Sequence, residues 1–194
     1  MRDRFEHIIE PEAGIKYGVF DGWQNYGPVY FIKIPSGESF QGKNNKYFRL
    51  AKELRKRTHC TVICAENYTD EISQKYDLEV IKQYSVGYEG DHLMCRILGI
   101  GDGANICLSW LYHKTNLEKM LLVNMPISYE LGETVELLGA VDKKKVKFIY
   151  GDGDPSYRFT PLLKRMYADV RIIKGVDHDF TGDTYSFVGL QGLV

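Results

Sequence analysis

The side chains in this chain best placed to move a proton lie in two loops, each directly behind an apolar run. VKFIY (residues 146–150) is followed by Gly151-Asp152-Gly153-Asp154-Pro155, and VRIIK (170–174) by Gly175-Val176-Asp177-His178-Asp179-Phe180. A carboxylate that accepts a hydrogen bond from Nδ1–H holds an imidazole in one tautomer and orientation. Nε2 is then left to take a proton from a nucleophile. Upstream, residues 93–110 (LMCRILGIGDGANICLSW) carry glycine at 99, 101 and 103. Side chains on either side of a sharp strand-to-helix bend collide, so this spacing predicts a buried strand, a tight turn and an amphipathic helix.

Such a turn serves two kinds of site. In G-x-S-x-G it lifts a serine above a sheet and aims the next backbone N–H at an oxyanion; here the middle position is Gly101. In G-x-G-x-x-A, matched by Gly99, Gly101 and Ala104, bare backbone approaches a pyrophosphate. The second pattern expects an acidic residue about 20 positions on, where LLVNMP has Asn124. A third reading gives the glycines no chemistry and lets them pack a helix closely on a sheet.

The elements around these loops alternate. Short β-prone runs at 5–9 and 15–20 predict an antiparallel edge leading into a buried strand at 28–34 (PVYFIKI). A helix follows at 44–57, a strand at 61–65 (TVICA), and a helix through Gln83 capped by Thr69 or Asp70. Beyond the glycine turn come a strand at 121–125, a helix at 130–140, a strand at 146–150, a helix at 160–167, a strand at 170–174 and a short closing helix from Thr184. Strands alternating with helices imply an α/β fold, a mainly parallel twisted sheet with helices on both faces, in one domain over residues 1–194. Ligands of such sheets bind beyond the C-terminal ends of the strands, where both loops and the glycine turn fall.

Composition narrows the function classes. The chain has 194 residues, 44% hydrophobic and 26% charged, enough for a real core. Lys+Arg 25 against Asp+Glu 26 gives a net charge of −1, which points away from nucleic acid and from a polybasic membrane patch. No apolar run has signal-peptide or membrane-helix length, so a cytoplasmic location is expected. Cys60, Cys64, Cys95 and Cys107 lack C-x-x-C spacing and read as buried thiols; no metal or cofactor is expected.

A glycine turn, then an acid loop, then a histidine loop is the chain order of the α/β-hydrolases. From about residue 29 to 180 the sequence resembles that superfamily, in the form of a minimal member without a cap domain. The resemblance implies that Asp154 is the triad acid and His178 the triad histidine. It implies an oxyanion hole from the backbone around Gly37 and Glu38, with Ser36-Gly37 replacing the usual H-G, and from the N–H of Asp102. It puts Gly101 at the nucleophile, where glycine has nothing to attack with. Ser109 and Cys95 are too distant along the chain to stand in. The expectation is therefore an ester- or acyl-hydrolase type of site acting on a small molecule, inactive or strongly impaired as written. A non-catalytic small-molecule or partner-binding protein on the same fold is the alternative, and a nucleotide-binding domain a more remote one. Each residue also has a plainer reading: Asp154 as a turn former beside Pro155, Asp152 as the acid in its place, His178 as a surface residue, and Asp102 as a carboxylate in a helix's first turn.

Overall fold

The computed structural model describes residues 4–11, 14–23, 27–68, 71–85, 94–127, 131–166, 169–180 and 187–192. One eight-stranded sheet carries the molecule: β1 (His7–Ile9), β2 (Tyr17–Phe20), β3 (Val29–Ser36), β4 (Val62–Asn67), β5 (Met94–Ile100), β6 (Asn116–Val123), β7 (Val146–Gly151) and β8 (Val170–Ile173), in the order β1-β2-β4-β3-β5-β6-β7-β8. The β1–β2 and β2–β4 pairs are antiparallel; every pair from β4 to β8 is parallel. The antiparallel edge, the parallel body and the helices between strands match the alternation in the sequence.

The central strands are apolar along their length because both faces are covered. α1 (Lys46–Thr58) lies on one face, burying Tyr47, Phe48, Leu50, Ala51 and Leu54 at helical spacing against Ile32, Ile34, Leu98 and Val123. The other face packs Val80 and Ile81 of α2 (Glu71–Tyr84), Leu138 of α5 (Leu131–Ala140) and Leu163 of α6 (Thr160–Met166). The same face takes Ala104, Cys107, Leu108 and Leu111 from the stretch after β5. That stretch winds without a break from α3 (Gly103–Ile106) through a π turn (Cys107–Leu111) to α4 (Tyr112–Lys114).

Several boundaries differ from those the sequence predicts. α1 begins at Lys46, because Asn44 and Asn45 take left-handed conformations (φ 55° and 57°) that asparagine tolerates. β6 spans Asn116–Val123, with polar Asn116 and Lys119 paired to β5 across a bulge at Cys95/Arg96, and it ends at Asn124, which turns to φ 49°. The closing segment Phe187–Gly192 is a 3-10 helix. Thr69, Asp70, Glu130 and residues 184–186 lie outside the described residues.

One charge sits in the core. Lys33 of β3 is fully buried, and its Nζ reaches Asp77 of α2 at 2.7 Å and the Glu66 carbonyl at 2.8 Å; Tyr17 Oη donates to the same carboxylate at 3.0 Å. A lone buried ammonium would be untenable, and removing either partner leaves a costly unpaired charge. The network ties β2, β3, β4 and α2 together on the face below the glycine turn.

Candidate active site

The turn after β5 is tight on both sides. A Cβ at Gly99 would lie 2.5 Å from Ala104 Cα, and one at Gly103 would lie 2.5 Å from the Ile34 carbonyl oxygen and 2.8 Å from that of Lys33. Those distances are below van der Waals contact with backbone, so the strand and the helix after it approach as they do only because both positions are glycine. Gly101 occupies the apex with φ +55°, its N–H bonded to the Val123 carbonyl at 2.9 Å. A Cβ there would meet Pro35 Cγ at 3.1 Å, tight but against a ring that can pucker.

Asp154 and His178 come together behind β7 and β8. The imidazole Nδ1 lies 2.6 Å from Asp154 Oδ2, with the Asp154 side chain 1% exposed and that of His178 53% exposed. A buried carboxylate thus orients a ring whose remaining edge is open to a ligand. Asp154 Oδ1 accepts from the Ser156 N–H at 2.7 Å and caps the 3-10 turn Pro155–Phe159. The turn-forming reading of Asp154 and its pairing with histidine are therefore both true, one for each oxygen. Asp152 does neither; its Oδ1 accepts from the Gly175 N–H at 2.7 Å and closes the turn after β8.

Asn124, at the end of β6, is the residue that sequence reasoning missed. It is 1% exposed, and its Nδ2 donates to the Asp177 and His178 carbonyls at 3.0 and 2.8 Å while Oδ1 accepts from the Gly151 N–H at 3.0 Å. One side chain thus clamps the histidine loop to the strand that carries the aspartate loop. Its place directly after a strand, like those of Asp154 and His178, was the available signal. Tyr150 reinforces this side: burial, and then the nearby Asp154 carboxylate, push its hydroxyl well above the usual tyrosine range, and it donates to the Met125 carbonyl at 3.0 Å.

The loop after β3 faces the turn. Asp102 does not cap its helix with its side chain; the carboxylate takes the Ser36 N–H at 2.8 Å and the Ser36 hydroxyl, pinning this loop to the turn. Gly37 comes next with φ +78° and nothing within 4 Å of a Cβ position, so its backbone stands clear. Glu38 is drawn elsewhere, its N–H toward the Pro35 carbonyl at 3.4 Å and its carboxylate to Lys46 Nζ at 3.1 Å. Pro35 and Ser36 thus lie against the turn, Gly37 follows with its backbone clear, and Glu38 turns away. No cluster of three or more His, Cys, Asp or Glu side chains that could hold a metal is found among the described residues.

No family model matches the sequence, and no curated protein matches it. Solved structures do. Dienelactone hydrolase from Anabaena variabilis superposes with a TM-score of 0.65 over 99% of this chain and 95% of its own, at 13% identity. Est1E from Butyrivibrio proteoclasticus gives 0.65 over 96% and 94% at 11% identity. An α/β serine hydrolase homologue from Coxiella burnetii gives 0.62 over 96% and 93% at 15% identity. At these identities the likeness is one of architecture: the chain has the α/β-hydrolase fold.

Proposed function

We propose that this α/β-hydrolase-fold protein carries an ester- or acyl-hydrolase type of site in which Gly101 stands at the nucleophile position. Asp154 orients His178, His178 Nε2 is the base, and the N–H groups of Asp102 and Gly37 are the oxyanion donors. The observation that carries this reading is the 2.6 Å Asp154–His178 bond behind β7 and β8, with a left-handed glycine at the apex of the turn behind β5. Those are separate loops, and a packing role alone gives no reason for one to present a buried acid to an open imidazole on the other.

With a serine at position 101, its Oγ would attack the substrate carbonyl as His178 Nε2 takes the hydroxyl proton. The tetrahedral oxyanion would be held by backbone N–H groups, and the same proton would go to the departing alcohol. Water would then release the acid from the acyl-enzyme by the same steps. As written, the chain has no atom to carry the acyl group. Loss of the nucleophile from a working serine site lowers kcat by about a millionfold. The protein as it stands is therefore close to inert toward esters and acts, if at all, by holding a small molecule.

The test is Gly101→Ser. A serine at this φ carries about 1 kcal/mol or more of strain, which a rigid turn tolerates, and Pro35 must give by a few tenths of an ångström. The variant is expected to hydrolyse p-nitrophenyl acetate in a manner abolished by His178→Ala, while the unaltered chain matches the double variant. A folded Gly101→Ser protein with no histidine-dependent turnover would remove the hydrolase reading and leave a binding protein on this fold.

A further inference from the structure

Beyond the ends of β3 and β4, on the side of the turn away from His178, lies an open recess of about 460 Å³, the size of a small-molecule site. Its wall includes Gly37, Glu38, Ser39, Glu66, Asn67 and Tyr68. Asn67 is 5% exposed, yet neither its Nδ2 nor its Oδ1 has a hydrogen-bond partner. A buried amide with both ends unsatisfied is destabilising unless something else pairs with it. Glu66 on the same wall is matched: it accepts from the Lys16 and Phe40 N–H groups at 3.1 and 3.3 Å.

We propose that this recess is the subsite for the acyl part of the substrate and takes a neutral group that both donates and accepts hydrogen bonds, an amide or a hydroxyl, which pairs with the Asn67 side chain. Its part in catalysis rests on the hydrolase reading; the binding preference does not. The orphaned Nδ2 seeks an acceptor and Oδ1 a donor. Two carboxylates in the wall repel an anionic group, and with Tyr68 the only large apolar side chain among these wall residues, a plain alkyl chain has little to cover it. Because Ser36 lines the recess and is bonded to Asp102 beside Gly101, a group bound there continues from a carbonyl placed over Gly101.

Two arms test this, one of which needs no chemistry. In the unaltered chain, methyl N-acetylglycinate should bind about tenfold more tightly than methyl pentanoate, an uncharged ester of the same chain length with no amide or hydroxyl, by NMR titration. In Asn67→Leu the two should bind alike. Asn67→Asp, nearly isosteric and lacking the donor, should also lose the preference, and it serves if the leucine variant does not fold. Equal binding by the unaltered chain, or a preference that survives both substitutions, overturns the subsite. In the Gly101→Ser protein, the ratio of kcat/KM for p-nitrophenyl N-acetylglycinate over p-nitrophenyl pentanoate should fall about tenfold on adding Asn67→Leu, since intrinsic ester reactivity cancels in that comparison. An Asn67-dependent binding preference without hydrolysis would sink the hydrolase reading and keep the recess as a ligand site. Hydrolysis without that preference would do the reverse.

Discussion

The two halves of the site are finished to different degrees. Behind β7 and β8 the polar side chains of the site are committed: Asp154 to His178 and Ser156, Asp152 to Gly175, Asn124 to both loops at once. Behind β3 and β5 the backbone is shaped as tightly, yet the apex is a glycine where the proposed hydrolase site calls for a reactive group, and the neighbouring recess keeps an amide unpaired. A base can be held ready by contacts within the protein. The reacting and recognising groups must be left open to something else, so a deficit on that side says more about function than satisfaction on the other.

The largest expected effect breaks the finished half. In the Gly101→Ser protein, Asp154→Asn should lower kcat about 10⁴-fold, because an amide can donate to Nδ1 and favour the wrong tautomer. Steady-state ester hydrolysis reads this, and a drop of less than about tenfold would mean that Asp154 is only a cap. On the other half, Gly103→Ala in the unaltered chain should reduce stability by about 2–3 kcal/mol. The added methyl meets two backbone carbonyl oxygens of β3, and this outweighs the gain of up to about 1 kcal/mol from replacing a helical glycine. Urea unfolding gives the value, and a neutral result would show that the turn has slack. Asn124→Leu should cost about tenfold in kcat in the serine background with KM little changed, since it loosens the base without touching substrate; equal losses in both parameters would assign it to binding.

The smallest effect is a control at the far end of β5 and β6. Arg96 Nη2 lies 2.5 Å from Glu118 Oε1, and that bond holds the Glu118 carboxyl below its usual range. Glu118 is therefore charged more readily folded than unfolded, so its stabilisation is present above the ordinary carboxylate pKa and is lost as pH falls through the lowered value. Both side chains are partly exposed, which keeps the effect of Glu118→Gln at pH 7 below about 1 kcal/mol. Thermal melts of the two proteins should converge in strong acid, and the serine-variant activity should not change.

Position relative to strand ends is what made the fold and the acid–histidine pair readable: VKFIY and VRIIK announce strands, and the residues directly after each strand must lie over the edge of the sheet. Asp154 could be read as a turn former or as a partner of the histidine because one oxygen caps a turn and the other meets His178. The role of Asn124 is not readable this way, because an asparagine ending a strand looks the same whether it faces water or bonds to residues 27, 53 and 54 positions away. Lys33 hides in the same manner inside an apolar run, its counter-charge 44 residues downstream. The early start of β6 rests on a bulge, and the recess beside Asn67 on side chains about 30 positions apart that meet only when β3 pairs with β4. Pattern along the chain reports elements; pairing across it does not.

The glycines at 99 and 103 have a consequence for how such a site could be lost or gained. Side chains are barred there by the packing of β5 and its helix on β3, so the bend is kept by folding whether or not anything reacts at its apex. A glycine codon ending in a pyrimidine is one base away from a serine codon. With such a codon at position 101, a single transition would supply the serine that the proposed hydrolase reading requires, with the scaffold for the new hydroxyl held in place throughout by a requirement that has nothing to do with catalysis.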